Sequence, residues 1–373
     1  MQLALEQQES YRLFSSSIRS DETKKTYTLL FKKFIEYLGE DEDILLGNDS
    51  RRIELRIIDF IISLREEGKH YSAIHNYTSA ITAFYKINDI VLNVTKISKF
   101  MPEPKRARKD KAYTHEQIGK LLEIADERMR AVILLLGSTG MRIGAVPSLR
   151  LRNLERINIG VNDLYKIVVY EGFRQEYFTF CSPECAKALD SYLETRARYG
   201  EKITQDSFLI REQYDCRKIF AVRKTQRQVK SRTLTWKLVT LAERCGIRQK
   251  EQLVEGGPIA ASIRKEVSIA HGFRKFFTTQ IAGIKVNAEI REMLLGHKIG
   301  LMSAYYRPTE EDMLNEYMKA IDALTIDPNQ RLKRKVQILE VERSRMDRIE
   351  LQLKTLLDGR EGGKENTVVS SSL

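Results

Sequence analysis

Cysteine, proline and long apolar runs are scarce in this sequence of 373 residues, which contains four cysteines and seven prolines. The thiols (Cys181, Cys185, Cys216 and Cys245) are too few and too far apart for a disulfide framework, which fits a reducing cytoplasm. The longest apolar runs, such as residues 131–137, are far shorter than the roughly 18 residues that span a bilayer, and the first residues lack the pattern of a secretory signal. With 31% charged and 42% hydrophobic residues, the composition excludes collagen-like, low-complexity and wholly disordered chains. We therefore expect a globular, cytoplasmic protein without a membrane anchor.

Positive charge is in excess. Lysine and arginine number 63 against 51 aspartates and glutamates, which gives a net charge of +12 at pH 7. Such an excess indicates a polyanionic partner, but charge alone does not distinguish DNA from RNA or from an anionic lipid surface.

Helical periodicity dominates the first hundred residues. Ser20 is placed to cap a helix over 20–39, whose apolar side chains recur at helical spacing, and similar patterns follow over 53–67 and 72–87. The pattern predicts an all-helical domain over residues 10–101. The linker that follows, residues 102–112, combines prolines with basic residues and is either a solvated hinge or a basic strap that lies along phosphates.

A second domain is expected over residues 113–326. Thr114 and Gln117 have the spacing of a capping box, and helical patterns recur over 183–199, 233–245, 268–282 and 286–295. Runs rich in β-branched and aromatic residues at 164–170 and 177–180 flank a turn and predict a hairpin. The fold class is therefore mainly α with a small β-hairpin or sheet.

The last segment has a different character. Apolar residues at steps of three and four in a highly charged background predict an amphipathic helix over 328–358, namely Leu332, Val336, Leu339, Met346, Ile349, Leu353 and Leu356. A short coiled coil or a helix that docks on another subunit is favoured over a free tail. Residues 359–373 are expected to be a disordered tail.

Four local patterns in the second domain carry chemistry. They are Arg142 in a glycine-rich turn, His271 and Arg274 one helical turn apart, His297 after a helix-ending glycine, and the tyrosine pair Tyr305 and Tyr306. Each alone has an ordinary structural explanation: a surface arginine, a capping histidine or packed tyrosines. Together, two arginines, two histidines and a tyrosine are the groups needed for attack of a phenol on a phosphodiester, because guanidinium groups neutralise phosphate oxygens and histidines move protons.

These motifs, TGMRIGAVPSL, HGFR, LLGH and AYYRP in this order, resemble those of the tyrosine recombinase (phage integrase) family over roughly residues 10–325. The resemblance implies a helical core-binding domain and a mixed α/β catalytic domain that clamp double-stranded DNA, with four protomers assembled for strand exchange. It also implies that Arg142 and Arg274 hold the scissile phosphate, that His271 and His297 assist proton transfer and brace the non-bridging oxygens, and that Tyr306 forms a 3′-phosphotyrosyl link. Tyr305 is the rival nucleophile.

Two positions depart from the family pattern. Ala145 stands where the family usually has an acidic residue, three positions after its first arginine, so any carboxylate support must come from elsewhere. The hairpin turn lacks the family's catalytic lysine. Arg174 occupies the turn and is a poor proton donor, so we expect it to contact the phosphate or the minor groove. Lys166 on the first strand is then the candidate for the acid that protonates the leaving 5′-hydroxyl.

Two basic segments are candidates for phosphate contacts, with solvated loops as the alternative. Their residues are Lys105, Arg106, Arg108 and Lys109 in the linker and Arg217, Lys218, Arg223, Lys224, Arg227, Lys230 and Arg232 in the second domain. The cysteine spacing does not favour a zinc site, and no nucleotide-binding glycine motif is present.

We therefore expect a site-specific DNA recombinase of the integrase or excisionase type that cleaves and rejoins DNA without metal, ATP or other cofactor, as a homo-oligomer on DNA. Two alternatives stay open. One is a type IB topoisomerase-like enzyme that nicks and reseals DNA. The other is a catalytically weakened DNA-binding accessory protein, which Ala145 and the missing hairpin lysine would explain.

Overall fold

A computed structural model describes residues 9–39, 49–104, 111–213, 227–248, 267–298 and 306–365. These residues divide into two compact units, one within Met1–Arg108 and one within Lys109–Leu253 and Lys265–Leu373. The architecture is mainly helical with one small antiparallel sheet, which confirms the predicted fold class.

The first unit is built from helices around an aromatic core. Its helices are α1 (Glu9–Ser17), α2 (Asp21–Leu38), α3 (Ser50–Glu66), α4 (Tyr71–Ile87) and the short α5 (Val94–Ser98). The predicted cap is confirmed, because the Ser20 side chain accepts a hydrogen bond from the Thr23 amide. Phe14, Phe31 and Phe84 are fully buried, and the Phe31 and Phe84 rings lie 4.1 Å apart between centroids. Helical spacing thus places one apolar face of each helix in a shared core.

The second unit combines helices with the sheet. Its helices are α6 (His115–Ile124), α7 (Glu127–Thr139), α8 (Pro183–Arg198), α9 (Ser231–Arg244), α10 (His271–Gly283), α11 (Ala288–Leu294), α12 (Glu310–Leu324) and α13 (Pro328–Glu365). The capping box of Thr114 and Gln117 is present at the start of α6, as predicted. Helix α7 is buried along nearly its whole length and forms the centre of the hydrophobic core.

The sheet has three antiparallel strands in sequential order: β1 (Leu154–Ile159), β2 (Asn162–Val169) and β3 (Tyr177–Phe180). Strands β2 and β3 are the predicted hairpin, with Lys166 opposite Phe180 and Val169 opposite Tyr177. Strand β1 was not predicted. Most of its side chains are exposed, so it lacks the alternation of apolar and polar residues that marks a half-buried strand. Backbone pairing with β2 defines it.

Helix α13 contacts the rest of the second unit near its N-terminal end. Arg334 attaches it there by donating hydrogen bonds to Asn162, at 2.7 Å, and to Asp322. Leu332, Leu339, Met346 and Leu353, spaced seven residues apart, are all more than half exposed. The helix continues to Glu365, beyond the predicted end at residue 358, because the segment contains glycines but no proline, and glycine weakens a helix without blocking it. Residues 366–373 lie outside the described part of the chain.

No helix within the described ranges is long and apolar enough to cross a membrane. The same ranges contain no group of three or more histidine, cysteine or acidic side chains that could hold a metal ion. Cys181 and Cys185 are buried free thiols in the core of the second unit, and Cys245 is a half-buried free thiol.

Candidate active site

Arg142 follows the C-terminal end of helix α7. Gly140 closes the helix in the left-handed conformation at φ +63°, where other residues are strained. A Cβ atom at this position would lie 2.5 Å from Cδ1 of Phe277, so only glycine allows the chain to pass this close to α10. The turn leaves the Arg142 side chain exposed while its neighbours Met141 and Ala145 are buried.

The first turns of helix α10 carry His271, Arg274 and Lys275. Gly272 allows the close packing of this turn, because a Cβ there would lie 2.8 Å from Cε2 of Tyr113. Arg274 is only 5% exposed. Its Nη1 donates to the carbonyl of Gly140 at 2.9 Å and its Nη2 donates to the carbonyl of Leu295 at 2.8 Å. These two carbonyls, from the ends of α7 and α11, hold the guanidinium in place.

His297 is positioned by the C-terminal end of helix α11. The amide of Gly296 donates to the carbonyl of Met293 at 2.8 Å, and the amide of His297 donates to the carbonyl of Glu292 at 2.9 Å. This pair of bonds around a glycine in the left-handed conformation, here at φ +68°, is a Schellman motif. The ring of Tyr177 covers Gly296, where a Cβ would lie 2.5 Å from Cδ1 of the tyrosine.

Both ring nitrogens of His297 are engaged. Nδ1 lies 2.5 Å from Oε2 of Glu292, and Nε2 lies 2.6 Å from Nη2 of Arg274. Burial acts to raise the pKa of Glu292, but hydrogen bonds from His297 and Arg291 and the positive charge of Arg291 outweigh it, so this pKa lies below its ordinary value. Glu292 is therefore a carboxylate at the edge of the site.

The structure brings four of the predicted site residues into one cleft of about 360 Å³, together with a lysine. The lining residues are Ala112, Arg142, His271, Arg274, Lys275, Thr278, Thr279 and His297. Basic and imidazole groups thus dominate a concave surface, which is the arrangement expected for an anionic group such as a phosphate.

The electrostatics of the cleft favour an anion. Burial lowers the pKa of Arg274, and the positive charge of nearby Arg142 lowers it further. Burial also raises the pKa of the Tyr177 phenol to about 12, against the opposing effect of Arg274. A bound phosphate would relieve the repulsion between the two guanidinium groups, so the cleft gains more from an anion than two isolated arginines would.

Other predicted site residues lie elsewhere. Lys166, half-buried on β2, is held by Glu155 at 3.1 Å between Nζ and Oε2 and by Glu310. Arg174 is exposed in the hairpin turn. Tyr306 is half-buried against the hydrophobic core of the second unit. None of these three lines the cleft.

Several predicted residues are not described or stand apart from the cleft. Tyr305, the linker residues Lys105, Arg106, Arg108 and Lys109, and Arg217, Lys218, Arg223 and Lys224 lie outside the described residues. The rest of the second basic segment, Arg227, Lys230 and Arg232, is described and exposed.

Sequence reasoning missed three residues of this site: Lys275, Glu292 and Tyr177. Lys275 could have been found because it lies four residues after His271, one helical turn further along the same face. Glu292 could have been found because a Schellman motif brings the residue after the glycine next to the one five positions earlier. No sequence signal identifies Tyr177, whose ring reaches Gly296 only through the packing of β3 on α11.

No protein-family model and no curated protein matches the chain. Solved structures do match, at low identity. One is the XerH site-specific recombinase bound to palindromic difH substrate in a post-cleavage complex, at 16% identity, with a TM-score of 0.51 over 85% of this chain and 80% of that one. A lambda integrase dimer bound to a COC′ core site has 14% identity and a TM-score of 0.51 over 80% of this chain and 95% of that one. The Tn1549 transposon integrase in complex with transposon right end DNA has 14% identity and a TM-score of 0.50 over 83% of this chain and 98% of that one. The chain therefore has the fold of these recombinases and integrases.

Proposed function

We propose that this protein is a tyrosine recombinase, a site-specific DNA recombinase that cleaves and rejoins DNA through a 3′-phosphotyrosyl intermediate. The observation that carries the proposal is the cleft in which Arg142, His271, Arg274 and His297 converge. The shared fold supports it, because these side chains occupy a scaffold that solved recombinases also have.

The reaction follows from the chemistry of these groups. The Tyr306 oxygen forms a bond to phosphorus, its proton passes to a base, and the bond between phosphorus and the 5′-oxygen breaks. Arg142 and Arg274 neutralise the non-bridging oxygens, on which charge accumulates in the transition state. Arg274 lines the cleft together with Arg142, so its positive charge acts on a phosphate bound there. His271 and His297 assist proton transfer.

The leaving 5′-oxygen needs a proton, and we assign its donor to Lys275 rather than Lys166. Lys275 lines the cleft beside Arg274, whereas Lys166 lies on β2 and does not line it. Arg174 is a poor candidate because a guanidinium does not readily give up a proton. An ammonium group on a flexible stem can both contact the phosphate and protonate the leaving oxygen.

The proposal extends to partners and cofactors. The substrate is double-stranded DNA, and strand exchange requires a homo-oligomer on DNA, a tetramer in this proposal. Exposed Arg227, Lys230 and Arg232, with the basic linker, would track phosphates without reading sequence. The phosphotyrosyl bond conserves the energy of the phosphodiester, so the reaction as proposed uses neither ATP nor metal. A cytoplasmic location fits the free thiols and the DNA substrate.

The experiment that tests the proposal uses a nicked duplex from which the cleaved fragment diffuses away and traps the covalent intermediate. The full chain should form a denaturant-resistant adduct with DNA, and Tyr306→Phe should form none while it binds DNA normally. If the adduct is lost in Tyr305→Phe instead, Tyr305 is the nucleophile. Joining to a second duplex separates a recombinase from a topoisomerase-like enzyme. Absence of any adduct would leave a DNA-binding accessory protein.

A further inference from the structure

We infer that Glu292 is a positioning residue of the active site: its carboxylate fixes the tautomer of His297 so that Nε2 accepts a hydrogen bond from Arg274 and orients the guanidinium. The inference rests on the proposed function for the phosphate that Arg274 would hold. The geometry of the Glu292–His297 pair is independent of it.

The backbone places the two side chains together. In the Schellman motif at the end of α11, Glu292 and His297 are joined by the outer hydrogen bond, amide to carbonyl at 2.9 Å. Side chains at these two positions commonly make an apolar contact. In this chain they make a polar one instead, between Oε2 of Glu292 and Nδ1 of His297 at 2.5 Å.

Hydrogen-bond chemistry then determines the tautomer. An arginine only donates, so the Nε2 atom that lies 2.6 Å from Nη2 of Arg274 must be an acceptor. A neutral imidazole with an accepting Nε2 carries its proton on Nδ1, and that proton is donated to Glu292. Arg274 and Glu292 thus select the same tautomer from opposite sides of the ring.

Glu292 compensates for the acidic residue that the family pattern has three positions after its first arginine, where this chain has Ala145. The side chain of Ala145 is a fully buried methyl group in the hydrophobic core and cannot support an ionised or hydrogen-bonded group. Glu292, on a different element, supplies a carboxylate that contacts the cleft residue His297. The site therefore has a carboxylate, contributed by α11 instead of the turn that carries Arg142.

This series of contacts ends at the guanidinium that would hold the phosphate. Nε2 of His297 and the carbonyls of Gly140 and Leu295 together orient Arg274. Without the Glu292 carboxylate the ring could take the other tautomer, whose Nε2–H would face a second donor instead of accepting from it. Glu292 therefore positions Arg274 through His297.

The first test reads the tautomer directly, without DNA. Full-length protein labelled with ¹⁵N in histidine is examined by long-range ¹H–¹⁵N NMR at mildly alkaline pH, with His297→Ala to assign the signal. The expected result is the tautomer protonated at Nδ1, lost or mixed in Glu292→Ala and retained in the control Glu289→Ala, a glutamate in the first turn of the same helix, whereas Glu292 contacts His297 at its end. A wild-type His297 protonated at Nε2, alone or together with Nδ1, would overturn the inference.

The second test asks whether Glu292 acts through His297. In single-turnover cleavage of the trapping substrate, Glu292→Ala should lower the rate by about 10- to 100-fold, the usual effect of removing the partner of a functional histidine. Glu292→Gln, which keeps an acceptor but loses the charge, should fall in between. In a His297→Ala background, Glu292→Ala should have no further effect. An equal loss in both backgrounds would overturn the inference. If the tautomer is as expected but no variant or wild type forms an adduct, the proposed function fails and the positioning of His297 stands.

Discussion

Replacing Arg274 should lower the free energy of unfolding, and replacing Arg142 should not, although both residues are proposed to bind the same phosphate. Arg274 is 5% exposed and donates to two buried carbonyls, those of Gly140 and Leu295. Arg142 is exposed. Replacing each by alanine therefore separates the part of an arginine that assembles the site from the part that acts on the substrate.

The magnitudes follow from the contacts. Arg274→Ala leaves two buried carbonyls without their donors, at about 1–3 kcal/mol each, so the free energy of unfolding should fall by about 2–6 kcal/mol. The lower end of this range applies if water enters the space left by the side chain and hydrogen-bonds to the two carbonyls. Arg142→Ala removes an exposed side chain and should change the same quantity by no more than about 0.5 kcal/mol. In both variants the loss of one charged donor from the transition state should lower the cleavage rate by about 10²- to 10³-fold.

Two assays check this. Chemical denaturation of the full chain gives the change in the free energy of unfolding, and single-turnover cleavage of the trapping substrate, at a temperature where both variants are folded, gives the rate. Arg274→Lys is the matched control, because it keeps the charge but cannot reach both carbonyls in the same geometry. An Arg274→Ala variant as stable as wild type would show that the two carbonyl contacts do not hold the guanidinium. Near-normal cleavage by Arg142→Ala would remove that residue from the site.

Three further predictions concern the acid, the long helix and the linker. Lys275→Ala should lower cleavage of ordinary DNA by about 10²- to 10⁴-fold but should cleave a substrate with a bridging 5′-sulfur almost normally, because a thiolate leaves without a proton. Lys166→Ala is the control. If the 5′-sulfur substrate rescues that variant instead, Lys166 is the acid that protonates the leaving oxygen. Replacing Leu339, Met346 and Leu353 together by lysine should leave first-strand cleavage unchanged but reduce higher-order complexes on DNA in sedimentation, because these exposed side chains repeat every seven residues as in a coiled coil. Unaltered assembly would show that this face of α13 has no role in it. Neutralising the basic linker residues 105–109 should weaken binding to specific and random duplexes alike and flatten the dependence of log K on log salt by roughly 0.9 for each phosphate that the linker no longer neutralises. An unchanged slope would identify the linker as a solvated hinge.

Much of the fold could be predicted from the sequence because its signals are local. The cap at Ser20, the capping box at Thr114 and the β2–β3 hairpin are determined by residues within a few positions of one another. Helical periodicity likewise follows from spacing along the chain. Strand β1 could not be predicted because its side chains are mostly exposed, and only its pairing with β2, a tertiary contact, makes it a strand.

The order of amino acids is enough to define which groups the candidate site contains: an arginine after a glycine turn, a histidine and an arginine one helical turn apart, a histidine after a helix-ending glycine, and a tyrosine. Which of them share a cleft depends on how the helices and strands pack. Packing places Lys275 in the cleft and Lys166 with two glutamates, and it turns Arg274 inward to the carbonyls of Gly140 and Leu295. The difference arises because caps and periodicity depend on neighbours in the chain, whereas the burial and the hydrogen-bond partners of a side chain depend on elements that meet only when the chain has folded.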